Sequence, residues 1–127
     1  MAKHVLVIST SLRPGSNSEA LADAFLAGAQ AAGNTVEKVT LRGKTIAFCR
    51  GCLACQSAGR CVIPDDAIEI AEKMRMADVI AFATPIYYYE MSGQMKTLLD
   101  REIGMPHSLE TCPMVYIIFP HFISKKY

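Results

Sequence analysis

The sequence predicts an α/β protein with a doubly wound parallel sheet. Short apolar runs, typical of strands covered on both faces, recur along the chain and alternate with segments that have helical spacing of apolar residues. This alternation predicts parallel strands joined by right-handed crossover connections. The chain has 127 residues, 51% of them hydrophobic. That is enough for one core, so we expect a single domain over residues 1–127.

The first part of the chain predicts two strands and the helix between them. His4–Ser9 (HVLVIS) is a continuous apolar run and predicts the first strand. A helix follows a polar loop, because Ser16 and Glu19 fit a capping box and Gly33 is a favourable residue beyond the last turn. Residues 35–41 (TVEKVTL) alternate between apolar and polar side chains and predict the second strand.

The remainder predicts two helices and two more strands. Ligands bind such sheets at the carboxyl ends of the strands, so we expect the loops after the first and third strands to carry the site. The predicted elements are a helix opened by Pro64-Asp65-Asp66 and running to about Met76, a strand at 78–84 (DVIAFAT), a helix at 94–103 and a strand at 114–119 (MVYIIF).

Composition and charge exclude several function classes. Lys and Arg number 13 against 12 Asp and Glu, so no net field favours nucleic acid or a membrane surface. The longest apolar stretches are far too short to span a bilayer. The N-terminal segment MAKHVLVIST lacks a small-residue cleavage site and predicts a strand rather than a signal peptide. We therefore expect a cytoplasmic protein.

The loop after the first strand, STSLRPGSNS at residues 9–18, is rich in hydroxyl groups. A phosphate there would meet free backbone N–H groups, the positive end of a helix dipole and the charge of Arg13. The loop contains neither the G-x-G-x-x-G fingerprint nor a P-loop. Its alternative interpretation is a hydrophilic turn with a capping box.

Two loops together carry a resemblance to a known family. The pattern S-x-R-x-x-S-N-S, with TPIYYYEMSGQMK after the third strand, resembles the flavodoxin-like NAD(P)H-dependent FMN reductases over about residues 3 to 101. The resemblance implies FMN as cofactor, NAD(P)H as co-substrate, a homo-oligomer and the strand order 2-1-3-4-5. It also implies that the ribityl phosphate is held by Ser9, Ser11, Arg13, Ser16, Asn17 and Ser18.

The resemblance places the flavin ring along the second loop. Pro85, Ile86, Tyr87 and Tyr88 would lie along the isoalloxazine, and Ser92 and Gly93 would close the loop. Aromatic side chains and backbone polar groups suit a flat ring with a polar edge. For Tyr89 we expect a core or dimer-interface position instead. For Lys96, Asp100 and Arg101 we expect solvated or interface roles.

Four cysteines, Cys49, Cys52, Cys55 and Cys61, form the pattern C-x2-C-x2-C-x5-C. The first three have the spacing of ferredoxin-type ligands, and the whole pattern is similar to the [4Fe–4S] motif of iron–sulfur flavoproteins. Reduced thiols or a thiol pair, as in simple FMN reductases with a similar loop, and a zinc site are the alternatives. Cys112 is expected to be a buried or incidental thiol. The three histidines share no ligand spacing.

The chain departs from this family at its C-terminal end. It ends in PHFISKKY soon after the fourth predicted strand, whereas members of the family continue through a further helix and a fifth strand. We therefore expect a C-terminally truncated sheet of order 2-1-3-4 that lacks the fifth strand. The fourth strand would be an edge or would be covered by a partner chain.

The leading hypothesis is an FMN-dependent oxidoreductase that takes hydride from NAD(P)H and reduces a small acceptor of quinone or flavin type. FMN carries the chemistry in such enzymes, so no catalytic side chain is expected. One alternative is an iron–sulfur flavoprotein electron carrier with a [4Fe–4S] cluster on the four cysteines. The other is a truncated remnant without cofactor.

Overall fold

The computed structural model describes residues 1–102 and the backbone of one further strand, Met114–Pro120. The expectations for Cys112, His107 and His121 lie outside these described residues. Within them, no helix is long and apolar enough to cross a membrane.

The sheet has the predicted topology. Strand β1 (His4–Ser9) lies in the middle and pairs in parallel with β2 (Thr35–Thr40) on one side and β3 (Val79–Tyr87) on the other. Strand β5 (Met114–Pro120) pairs in parallel with β3. The short β4 (Glu90–Met91) runs antiparallel to the end of β3. The four long strands therefore have the order β2-β1-β3-β5, which confirms the predicted order 2-1-3-4.

Helices α1 (Asn17–Ala31), α2 (Ala54–Ala58), α3 (Ala67–Met76) and α4 (Gly93–Arg101) follow the alternation. Successive residues of a strand point to opposite faces, so the sheet has two apolar surfaces. One buried cluster combines side chains from β1 and β3 with Ile70 and Met74 of α3 and Met95 and Leu98 of α4. The other packs Ala22 of α1 against the opposite face. Both layers leave the carboxyl ends of the strands open to the loops.

Several elements differ from the sequence predictions. β3 continues to Tyr87 rather than ending at Thr84, because its pairing with β5 extends to Ile86 and it then turns into β4. Helix α3 begins at Ala67, after the three residues predicted to open it. The short α2 was not predicted, since five residues within a loop give no periodic signal.

Glu102, the residue that directly follows α4, is a buried acid. Glu102 is only 3% exposed, and neither of its carboxylate oxygens has a hydrogen-bond partner within residues 1–102. Burial raises the pKa of Glu102 to about 8, against a smaller lowering by the charge of Arg101. At neutral pH the folded chain therefore keeps Glu102 mostly protonated.

This acid should make the stability of the chain depend on pH. Below pH 4.5, the ordinary pKa of the group, Glu102 is protonated in the folded and the unfolded chain and makes no pH-dependent contribution to stability. Between pH 4.5 and about 8 only the unfolded chain loses the proton, so the free energy of unfolding falls as pH rises, by roughly 4 kcal/mol in total. Glu102→Gln should remove this fall, as measured by urea unfolding at pH 5 and pH 8.

The exposed Glu72 on α3 supplies the matched control. Glu72→Gln should keep the pH dependence of the unmodified chain. Equal pH dependence in the Glu102→Gln and Glu72→Gln variants would contradict the assignment of the buried acid.

Candidate functional site

The hydroxyl-rich loop connects the end of β1 to the start of α1. Its four serines, Ser9, Ser11, Ser16 and Ser18, are all at least 96% buried, whereas Arg13 and Asn17 are exposed. The loop therefore turns its hydroxyl groups towards the protein while its cation and amide face solvent. The structure brings all six predicted phosphate-binding residues onto this one connection.

Ser16 organises the first turn of α1. Its Oγ accepts a hydrogen bond from the N–H of Glu19 (3.2 Å), and its carbonyl accepts from the N–H of Ala20 (3.0 Å). The Glu19 carboxylate accepts from the N–H of Gly15 (3.2 Å), one residue before the partner expected in a capping box. The earlier N–H groups of the helix, at Asn17 and Ser18, have no acceptor within the helix and are available to an anion.

The surroundings of the Ser9 hydroxyl group indicate whether this loop suits a phosphate. The Ser9 side chain is fully buried at the carboxyl end of β1, yet its Oγ has no hydrogen-bond partner among the residues that the structure describes. Buried polar groups are nearly always paired, because an unpaired one costs about 1–3 kcal/mol. A ligand oxygen at this position would satisfy it. The donor set of hydroxyl groups, first-turn N–H groups and Arg13 therefore fits the phosphate of FMN.

A cluster of three buried hydroxyl groups, Thr10, Thr84 and Ser92, joins the two predicted loops. The Ser92 Oγ lies 3.1 Å from the Oγ1 of Thr10 and 3.1 Å from the Oγ1 of Thr84. The N–H of Ser92 donates to the Thr84 Oγ1 (3.1 Å), and Thr10 also bonds the carbonyl of Ala83. Sequence reasoning assigned a role to Ser92 but to neither threonine, although Thr84 opens the quoted segment TPIYYYEMSGQMK.

Ser92 also begins α4. Its Oγ accepts a hydrogen bond from the N–H of Met95 (3.3 Å), which makes it the N-cap of that helix. Ser92 was predicted to close the loop, and these hydrogen bonds are the contacts by which it can do so. It fixes the helix start to the ends of β1 and β3.

The tyrosines form the tip of a hairpin. Tyr87 pairs with Glu90, so Tyr88 and Tyr89 are the two central residues of the turn, both with positive φ (49° and 65°). Their rings meet edge to face with centroids 5.8 Å apart, and their exposures are 94% and 96%. The expectation of a core position for Tyr89 is therefore wrong. Pro85 is buried in β3, Ile86 is partly buried and Tyr87 is half exposed.

A cleft of about 400 Å³ separates the two loops. Leu12 of the hydroxyl-rich loop and Gly93 at the start of α4 line it, together with Leu41, Ile46 and Phe48 from the segment after β2. This volume lies within the usual range of small-molecule sites. Of the predicted site residues, only Gly93 lines this cleft.

The four cysteines line a second, smaller cavity of about 70 Å³. Cys49 and Cys52 are exposed and Cys55 and Cys61 are partly buried, all as free thiols. Within the described residues, no three His, Cys, Asp or Glu side chains converge on one metal ion, which gives no support to a zinc site. A [4Fe–4S] cubane places its irons at separate corners, so its thiolates do not need to meet at one point.

Arg101 is the residue most misjudged from the sequence. The expectation of a solvated or interface role is wrong, because its side chain is fully buried at the end of α4. It forms a two-pronged ion pair with Asp65, at 2.6 and 2.9 Å. Its Nε donates to the Sγ of Cys61 at 3.1 Å. No sequence signal marks this contact, since its partners lie about 40 residues away.

Hydrogen bonds and opposite charges keep Arg101 and Asp65 in their ionised forms. Burial alone would raise the pKa of Asp65, but hydrogen bonds from Arg101 and from the N–H groups of Ala47 and Ala67 outweigh it and hold the pKa below its ordinary value. The same hydrogen bond with Asp65 raises the pKa of Arg101. The cysteine cavity therefore has a permanent cation in its wall.

Comparison with known proteins agrees with this fold. Residues 4–111 match the family described as NADPH-dependent FMN reductase. The chain belongs to the NADPH-dependent FMN reductase family. This match confirms the resemblance found in the sequence and supports its cofactor prediction, since FMN and NADPH stand in the family's own description.

Two relatives and one solved structure extend the comparison. The chain is 41% identical over 96 residues to an iron-sulfur flavoprotein of Methanosarcina thermophila, covering 76% of this chain and 50% of that protein. It is 36% identical over 97 residues to one of Archaeoglobus fulgidus, covering 76% and 44%. An NAD(P)H:quinone oxidoreductase from Methanothermobacter marburgensis shares the fold, with TM-score 0.66, 23% identity and coverages of 80% and 54%. The chain thus spans about half the length of the curated relatives it matches.

Removing the Ser92 hydroxyl should weaken the contact between the hydroxyl-rich loop after β1 and the hairpin loop after β3. Ser92→Ala deletes a helix N-cap and the hydrogen bonds to two buried threonines, so it should lower the free energy of unfolding by about 1–3 kcal/mol. The matched control is Ser57→Ala, whose exposed Oγ donates only to the carbonyl of Ala54. Urea unfolding should show a change of less than about 0.5 kcal/mol for this control. Equal losses in the two variants would contradict the role of the cluster.

Proposed function

We propose that the chain is the FMN-binding part of an oxidoreductase that takes hydride from NAD(P)H onto FMN and passes the electrons to a small acceptor of quinone or flavin type. The single observation that carries this proposal is the buried, unpaired Ser9 hydroxyl at the end of β1. It lies directly before a loop whose helix N-terminus is suited to an anion. Membership of the FMN reductase family supports the choice of FMN.

The hydroxyl-rich loop would hold the phosphate of FMN. Ser9 and Ser11 supply hydroxyl groups, the first turn of α1 supplies the N–H groups of Asn17 and Ser18, and the exposed Arg13 supplies a positive charge. Ser16 is already engaged as the N-cap, so its part is to orient the turn. Each contact strengthens with the negative charge of the phosphate.

The hairpin loop would hold the ring. Pro85 and Ile86 offer an apolar wall, and Tyr87 and Tyr88 offer aromatic surface beside it. The cluster of Thr10, Thr84 and Ser92 fixes this wall relative to the phosphate loop. Bound FMN supplies the hydride and electron transfer, and the chain's residues bind it, orient it and limit the access of water to one face.

The surroundings of the ring are consistent with a second chain. Tyr88 and Tyr89 project almost fully exposed beside the proposed ring site, and large exposed aromatic side chains are favoured at interfaces. We propose a cytoplasmic homo-oligomer in which a second copy covers these tyrosines. The reaction partner is a small molecule rather than a nucleic acid or a membrane.

The phosphate site is tested by comparing FMN with riboflavin, which lacks the phosphate. Arg13→Gln should weaken FMN binding at least about tenfold, because a hydrogen bond to a charged group contributes about 1.5–3 kcal/mol. Riboflavin binding should not change. Quenching of flavin fluorescence on titration measures both affinities.

The matched control for charge is Arg75→Gln, at an exposed arginine on α3 that forms a salt bridge with Glu72. It should leave both affinities unchanged. Equal loss of FMN and riboflavin in Arg13→Gln, or no loss of either, would contradict the proposed phosphate site. If the unmodified chain binds neither flavin, it is a remnant without cofactor and the proposed function fails.

A second candidate function is that of an iron–sulfur flavoprotein electron carrier. The observation that favours it is the shared cavity lined by Cys49, Cys52, Cys55 and Cys61. Thiolates are the ligands of iron–sulfur clusters, and this spacing is of the ferredoxin type. The matched relatives are named iron-sulfur flavoproteins, which supports the same assignment.

Visible absorption distinguishes the two functions. A cluster-bearing chain purified without air should show a broad absorbance beneath the flavin bands that bleaches with dithionite. The double variant Cys52→Ser/Cys55→Ser should lose this absorbance and keep the flavin bands. Cys112→Ser is the matched thiol control and should keep both. Flavin bands without the broad absorbance in the unmodified chain would exclude the cluster and leave the reductase.

A further inference from the structure

The cysteine loop is closed at its base by one side chain. The loop spans residues 47–63, and the Nη1 of Arg101 donates to the carbonyl of Ala47 (2.9 Å) at one end. The Nη2 of Arg101 donates to the carbonyl of Ile63 (3.1 Å) at the other end. A guanidinium has five N–H donors, and Arg101 makes five hydrogen bonds here once Asp65 and Cys61 are included.

Asp65 completes this closure. Its carboxylate accepts from the N–H of Ala47 (2.8 Å), so the ion pair binds both the N–H and the carbonyl of that residue. The neighbouring Asp66 accepts from the N–H of Thr45 (2.6 Å). The segment before the cysteines is thereby tied to the segment after them. The loop is held at its base while Cys49 and Cys52 remain exposed.

The contact with Cys61 does more than close the loop. The Nε of Arg101 lies 3.1 Å from the Cys61 Sγ, and Arg101 lines the cavity that all four cysteines share. A cluster with four thiolate ligands carries net negative charge, and its reduction adds more. Hydrogen bonds to the sulfurs and nearby positive charge stabilise the reduced form and raise the potential.

We propose that Arg101 is a positioning residue that holds Cys61 through its Nε–H, closes the cysteine loop and raises the reduction potential of a [4Fe–4S] cluster bound there. This inference rests on the second function proposed above. Arg101 ligates no metal and acts through Cys61 and Asp65. Because Ser92 caps the start of α4 and Arg101 is its last residue, the same helix links the hydroxyl-rich and hairpin loops to the cysteine loop.

The test uses Arg101→Lys, which keeps the positive charge but has no Nε–H and cannot form the paired contact with Asp65. Cluster is assembled from iron and sulfide without air, and its midpoint potential is measured by redox titration. A second measurement labels the cluster-free chain with iodoacetamide and locates the modified cysteines by mass spectrometry. The matched control is Lys96→Gln, at an exposed position on the same helix.

The expected result is a negative shift of the cluster potential in Arg101→Lys and labelling of Cys61 several-fold faster than in the unmodified chain. Labelling of Cys49 and Cys52, which are already exposed, should hardly change. Lys96→Gln should match the unmodified chain in both measurements. Unchanged potential and unchanged Cys61 labelling in Arg101→Lys would overturn the proposal while leaving the cluster function intact.

Two further outcomes are distinguishable. If the unmodified chain takes up no iron, the cluster function fails and the proposal with it, whatever the labelling shows. If Arg101→Lys does not fold, the double variant Asp65→Asn/Arg101→Gln replaces it, since it leaves no unpaired buried charge. Cys61 labelling in that variant should still accelerate several-fold, and labelling at the unmodified rate would overturn the proposal.

Discussion

The candidate flavin site depends on hydroxyl groups buried where two parallel strands end. β1 and β3 are neighbours, so the loops that follow them must emerge side by side at the same edge. Thr10, Thr84 and Ser92 convert this adjacency into a fixed geometry, because their hydroxyl groups bond one another where water is excluded. The hydroxyl-rich loop and the hairpin loop are thereby held in fixed positions relative to each other.

Helix α4 extends this order to the other end of the site. It begins at the hydroxyl cluster and ends at Arg101, whose five hydrogen bonds lie across the base of the cysteine loop. A helix of nine residues is a rigid spacer on this scale. Helix α4 therefore resists displacement of the cysteine loop, and its N-cap, Ser92, lies at the candidate flavin site. The candidate flavin site and the cysteine loop are therefore connected by α4.

The sequence was most informative where the signal is local or periodic. The apolar run of β1 and the alternation of elements were sufficient for the parallel α/β architecture, and the serine loop and cysteine spacing marked both candidate regions. The strand order came from the resemblance to the family. Long-range polar contacts left no such signal. Arg101 appeared to be an ordinary charged residue because Asp65 and Cys61 come near it only in the folded chain. For Tyr89 only the core alternative was wrong, because a two-residue turn with positive φ exposes its side chain. The interface alternative stays a prediction.

The most direct measurement is a crystal structure of the chain with FMN bound. The account predicts the phosphate within hydrogen-bond distance of the Ser9 Oγ and of the N–H groups of Asn17 and Ser18, with the ring along Pro85–Tyr88. The hydroxyl cluster should keep its present arrangement, since its hydrogen bonds join protein groups to one another. A phosphate bound away from the β1–α1 loop, or a Ser9 hydroxyl still unpaired beside bound FMN, would contradict the account.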